Sequence, residues 1–239
     1  LDVAEGETRN TLLIEIGEIA AEKLGDRTRA AKSYVAALEE RADDRRLLTK
    51  LMQLYSEEQD WEKLVDVVVK LAEFVEDHVQ KGKYLLTAAI VSERQMRDFE
   101  RALDFYRQVI QLDPGNEKAI DAAIELERAS TRFEAVEDLL KLKVERATEA
   151  NDNARLLAAF VALGELYEND LMWIEKAIDA YEAAQTLDSR DTARAEKLAE
   201  LYASDPARYL GKAVASQIAL LRQNPHRAEP YKLLRRLYT

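Results

Sequence analysis

Residues 98–116 read DFERALDFYRQVIQLDPGN, and the spacing within this stretch decides the fold. Asp98 opens it as a turn signal, Ala102 and Tyr106 stand one helical turn apart, and Asp113-Pro114-Gly115-Asn116 closes it as a second turn. A small residue lets a neighbouring helix approach closely. The bulky ring one turn later fills the gap towards the next element.

The same unit recurs on both sides. Sliding the chain by 72 residues places Leu13 on Leu85, Asp26 on Asp98, Arg29-Ala30 on Arg101-Ala102 and Tyr34 on Tyr106. At that offset Leu48 meets Ile120, Leu64 meets Val136, and Val67-Val68 meets Leu139-Leu140. Half of this period is close to the roughly 34-residue unit of paired-helix repeats. The shorter period gives Ala30 with Tyr34, Leu64 with Val68, Ala102 with Tyr106, Val136 with Leu140, Ala177 with Tyr181, and Ala213 with Gln217. About 14 residues upstream lies an apolar–small pair: Ile16-Gly17, Ala88-Ala89, Leu163-Gly164 and, one residue further, Leu198-Ala199. Turn signals fall at Gly25-Asp26, Asp60, Asp98, Asp188-Ser189, Ser204-Asp205-Pro206 and Asn224-Pro225.

This spacing predicts six helical hairpins over 8–44, 45–78, 79–116, 117–150, 153–191 and 192–227, then a lone helix over 228–239. A closed helical bundle also supplies helices but does not require one small–bulky pair at regular intervals. A related helical-repeat class stays open beside it. The last helix ends where its partner would begin, and the chain starts at Leu1, so a piece of a longer protein is expected.

Composition agrees with helices throughout. Glycine (7) and proline (4) are scarce in 239 residues, charged residues make up 34% and hydrophobic ones 47%. The most apolar stretch, Leu64–Val75, is interrupted by Asp66, Lys70 and Glu73, so no membrane span is expected. No signal segment opens the chain, and a cytoplasmic location is the default expectation. The net charge of −11 argues against nucleic acid as a partner, because phosphate binding needs concentrated Lys and Arg. The absence of cysteine excludes disulfides and thiolate chemistry.

The pattern resembles the tetratricopeptide repeat, whose unit runs apolar–Leu–Gly–aromatic in its first helix and Ala–aromatic–Ala–Pro in its second. The third hairpin carries the likeness best, with Phe99 before Ala102 and Leu112-Asp113-Pro114 at its end. Hairpins two and four are degenerate, with Leu64 and Val136 at the small position, and Gln217 replaces the bulky residue of the sixth. The resemblance implies an all-α, right-handed superhelical solenoid of antiparallel helix pairs, a non-enzymatic tandem-array scaffold whose inner groove is lined by first helices. The Ala/Arg/Glu-rich style is similar to that of bacterial repeat scaffolds.

Residues for chemistry are sparse. His78 and His226 stand alone at hairpin junctions, no histidine pair has metal-ligand spacing, and no glycine-rich loop offers a phosphate cradle. No enzyme, metal or cofactor is expected. Trp61 and Trp173, near the starts of second helices, read as packing residues.

By resemblance, groove positions include Glu15, Glu18 and Glu22; Arg46, Thr49, Lys50, Gln53 and Glu57; Lys83, Leu86, Thr87, Ile90, Glu93 and Arg94; Lys118, Asp121, Glu125 and Arg128. Hairpins two to four thus concentrate Arg46, Lys50, Lys83, Arg94, Lys118 and Arg128, with Leu86 and Ile90 as an apolar foothold. These eight residues form the expected binding site for a protein or peptide partner of acidic, amphipathic character. Three other readings stay open: the cations merely offset neighbouring carboxylates, the chain is a spacer within a longer array, or it self-associates. The clamp that holds chain termini in some family members does not carry over, because Ile14, Glu18 and Lys50 occupy its positions.

Overall fold

The structure is a computed structural model that describes residues 7–223, 225–226 and 228–238. Asn224, expected in a turn, and Thr239, expected to end the last helix, lie outside the described residues. Among the described residues every regular element is a helix. The chain divides into two compact units, Leu1–Leu126 and Glu127–Thr239.

The first unit holds α1 (Glu7–Ile19), α2 (Arg27–Leu38), α3 (Arg45–Glu58), α4 (Trp61–Glu73), α5 (His78–Val91), α6 (Phe99–Leu112) and most of α7 (Glu117–Ala129). The second holds the end of α7, then α8 (Phe133–Glu149), α9 (Asn153–Glu165), α10 (Ile174–Leu187), α11 (Thr192–Ser204), α12 (Pro206–Gln223) and α13 (Ala228–Leu237). From α1 to α6, and again from α8 to α13, each helix packs on its neighbours in sequence.

Aspartates set where the helices begin. Asp26 accepts from the Arg29 amide at 2.9 Å, Asp98 from Arg101 at 3.1 Å, and Asp44 from Arg46 and Leu47 at 3.0 and 3.2 Å. Asp77, Asp152 and Asp191 do the same for α5, α9 and α11. Each satisfies an amide that the first turn leaves without a partner, a contribution of about 1 kcal/mol.

The turn between the two helices of a hairpin has a recurring form. A residue in the left-handed region stands at Gly25, Gln59, Arg97, Thr131 and Met172, with φ of 65°, 59°, 56°, 57° and 56°. In the second and fourth hairpins the next residue reaches back five positions, Asp60 N–H to the Tyr55 carbonyl (3.0 Å) and Arg132 N–H to Glu127 (2.9 Å). In the first, third and fifth it reaches back six: Asp26 to Ala20 and Asp98 to Ser92, both 2.9 Å, and Trp173 to Tyr167 at 2.7 Å. There α1, α5 and α9 run on into π-helical turns, Ala20–Leu24, Ser92–Met96 and Leu166–Asp170. A π turn absorbs one extra residue without rotating the rest of the helix off its packing face. This alternation explains why the sequence repeats more clearly at 72 residues than at half that distance.

The small–bulky pairs face inward. Ala30, Ala102 and Ala177 are fully buried, and so are Tyr34, Tyr106 and Tyr181 to within a few per cent. Gly17 and Gly164 lie against the rings of Tyr34 and Tyr181 so closely that an added Cβ would sit 2.4 and 2.5 Å from a ring carbon. Leu47, Leu48 and Leu51 of α3 meet Leu64, Val65, Val68 and Leu71 of α4 in the core of the first unit. The substitution of Leu64 and Val136 for a small residue is accommodated by burial of both side chains.

Candidate partner-binding face of the first unit

The first helices of the first unit present a shared face with two cavities. The larger, about 580 Å³, is lined by Met52 and Gln53 of α3, Trp61 and Leu64 of α4, and Ile90 and Val91 of α5. Met52, Trp61 and Val91 are half-buried against the apolar core, so the floor of the cavity is core surface left uncovered. Thr49, Ser56, Thr87 and Gln95 give it a polar rim. The rim threonines turn their hydroxyls onto their own helices: Thr49 donates to the Arg45 carbonyl at 2.7 Å and Thr87 to Lys83 at 2.9 Å.

The smaller cavity, about 450 Å³, is polar and contains Glu22, Arg27, Tyr34 and Lys50. Both of its cations are paired. Lys50 pairs with Glu18, and Arg27 lies 3.0 Å from Glu57. The Lys50 ammonium also stands 5.6 Å from the centre of the Tyr34 ring. Burial raises the Tyr34 hydroxyl above the usual phenol range against the opposing pull of Lys50, and the bond to Glu18 raises Lys50. Gln53 and Glu57, hydrogen-bonded at 3.1 Å, line both cavities and form the ridge between them.

The eight expected site residues fall differently. Ile90 lines the larger cavity and Lys50 the smaller. Arg46 and Lys83 are exposed, one helical turn before Thr49–Lys50 and Thr87; Arg46 lines a separate cavity of about 480 Å³ with Arg41, Asp43, Asp44 and Arg45. Arg94 is exposed one turn after Ile90, beside Glu93, which accepts the Tyr106 hydroxyl. Leu86 is half-buried and lines neither cavity; Thr87 and Val91 take the place read for it. Lys118 is exposed in the first turn of α7. Arg128 lies in the second unit, 3.2 Å from Asp170. Trp61, read as a packing residue, packs on the core and lines the larger cavity as well. Its aromatic character at the start of α4 was the available signal.

The second unit uses charge differently. Glu137 of α8 is buried, and its Oε1 accepts from the Tyr167 hydroxyl at 2.7 Å, Lys141 at 2.8 Å and Lys176 at 3.2 Å. Burial pushes this carboxyl upward, but the three donors outweigh it and hold it at about 2. Lys176 also stands 3.9 Å from the centre of the Trp173 ring, which stacks on Tyr167 at 6.1 Å. Glu182 repeats the theme with the Tyr202 hydroxyl at 2.6 Å and Lys212. Glu168 takes Tyr181 at 3.1 Å and Lys197 at 2.9 Å. These networks tie successive hairpins together. His78 and His226 are exposed, and no cluster of three or more metal-ligating side chains occurs among the described residues.

Residues 92–116, the stretch around the third-hairpin turn, match the tetratricopeptide repeat family model. The match covers one repeat, within a chain whose described elements are all helices arranged as sequential pairs. The family is generally a non-enzymatic scaffold fold, with proteins or peptides as partners.

Among solved structures, the MamA protein aligns over 77% of this chain and 94% of its own at 14% identity and a TM-score of 0.43. A tetratricopeptide repeat protein from Parabacteroides merdae aligns over 97% and 100% at 16% identity and a TM-score of 0.39. YrrB, a tetratricopeptide repeat protein with an unusual peptide-binding site, aligns over 86% and 100% at 17% identity and 0.43. A search of curated proteins gives no match. No helix among the described residues is long and apolar enough to cross a membrane.

Proposed function

We propose that the face shared by α1, α3 and α5 holds a segment of a partner protein that carries apolar and acidic residues. The observation that carries this reading is the cavity of about 580 Å³, whose floor is uncovered core and whose flanking helices present Arg46, Lys83 and Arg94. Apolar surface left open beside cations favours a ligand that buries a side chain and brings negative charge. The protein would act as a scaffold, contributing binding and no chemistry of its own.

A photo-crosslinking amino acid at Thr87, with a control at exposed Gln108 on α6, tests it. Crosslinks at Thr87 and not at Gln108 are expected, and the purified partner should lose affinity on Ile90→Asp. Equal labelling at both positions, or unchanged affinity, removes the proposal and leaves the spacer reading in its place.

A further inference from the structure

We infer that the larger cavity is a socket for one bulky apolar side chain, read together with a carboxylate three residues away along an extended partner segment. This rests on the partner-binding reading above and adds the chemistry and spacing of what is bound.

The charge around the socket is not uniform. On α3, Arg46 lies towards one end and Glu57 at the other. On α5, Lys83 lies at the same end as Arg46, while Arg94 at the far end sits beside Glu93. No carboxylate among the described residues comes within 4.0 Å of the Arg46 guanidinium or the Lys83 ammonium. Lys50, by contrast, is occupied by Glu18. At that end Lys83 has no ion-pair partner, while Arg46 shares a separate cavity with Asp43 and Asp44; the far end carries Glu57, and Glu93 beside Arg94. A carboxylate on the partner is attracted to Lys83 and repelled near Glu57.

Helix geometry sets the distance. Lys83 stands seven residues before Ile90, about 10 Å along the axis at ~1.5 Å per residue. An extended chain advances about 3.3 Å per residue, so the carboxylate belongs three positions from the apolar residue. The occupant is thus an acidic–x–x–apolar segment, or its reverse, with a side chain the size of leucine, methionine or phenylalanine seated over Trp61 and Val91.

Synthetic fluorescent peptides of about twelve residues, each with one leucine and one glutamate at separations of one to six, provide the test by anisotropy. Separation three should bind most tightly, by about fivefold over one or five. Lys83→Glu should weaken that peptide about tenfold and favour its lysine counterpart. Ile90→Asp should weaken every leucine peptide. Equal affinity at all separations, or no response to Lys83→Glu, overturns the inference while binding that still depends on Ile90 keeps the broader reading. If no peptide binds and Thr87 also fails to crosslink selectively, both fall together.

Discussion

The two units build the same hairpin from different materials. In the first, all three turns between paired helices place an aspartate after the left-handed residue: Gly25-Asp26, Gln59-Asp60 and Arg97-Asp98. In the second, the corresponding pairs are Thr131-Arg132 and Met172-Trp173, with no side-chain cap on α8 or α10. Both units bury polar side chains, but those of the first, Asn10, Ser33 and Ser92, are uncharged, whereas the second buries Glu137 and Arg194. Both units use aspartate caps, apolar packing and ion pairs between helices; the second adds a network centred on a buried carboxylate. The repeat constrains where helices meet, and leaves open which interaction holds them.

One tryptophan in each unit, Trp61 and Trp173, makes the contrast measurable. In single-tryptophan variants, fluorescence during urea unfolding reports on each unit separately. The largest effect is expected from Glu137→Ala, which leaves the buried Tyr167 hydroxyl without its acceptor and releases the half-exposed Lys141 and Lys176, at about 3 kcal/mol in the Trp173 transition. A shift below about 1 kcal/mol would show that the network is not what holds α8 to α9 and α10.

The same carboxyl makes the second unit acid-sensitive. It is held at about 2 in the folded protein, below its ordinary value of about 4.3. Its stabilisation is therefore complete above about pH 4.3 and drains away as the pH falls towards 2. Glu137→Gln should flatten that loss in the Trp173 signal and leave the Trp61 signal unchanged. An identical acid profile in both variants would break the contrast.

Next in size are Gly17→Ala and Gly164→Ala, where the new methyl meets Tyr34 or Tyr181. Overpacking outweighs the gain in helix propensity, for a net cost of about 2 kcal/mol, similar in the two units. This is where the comparison predicts no difference. Removing a cap in the first unit, as Asp98→Ala, should cost about 1 kcal/mol. The smallest effect runs the other way. Thr131→Gly relieves a branched residue held at φ 57°, and should stabilise the Trp173 transition by about 0.5 kcal/mol, seen as a higher midpoint. A lower midpoint would mean that the threonine side chain makes a compensating contact.

Much of this was legible from residue spacing. Ala102 with Tyr106, and the 72-residue echo in Ala30 and Tyr34, announced helix pairs, because close approach demands a small residue and leaves a gap that a ring fills. The alternation between hairpins was visible only as uneven spacing, and its cause, an extra residue taken up as a π turn, is a matter of backbone hydrogen bonding. The availability of the cations was not legible at all. Lys50 and Arg128 look alike to Lys83 in sequence, yet Glu18 and Asp170 occupy them from other helices.

By itself, then, the chain's order of residues determined that it folds as antiparallel helix pairs and where the aspartate-capped helices start, since capping and small–bulky packing act over one or two turns. Tertiary structure alone decided which charges are neutralised and where core surface stays open, Met52, Trp61 and Val91 beneath Ile90 among it. Those outcomes depend on side chains some thirty or more residues apart meeting across helices, and the distance between them is set by packing that no local pattern encodes.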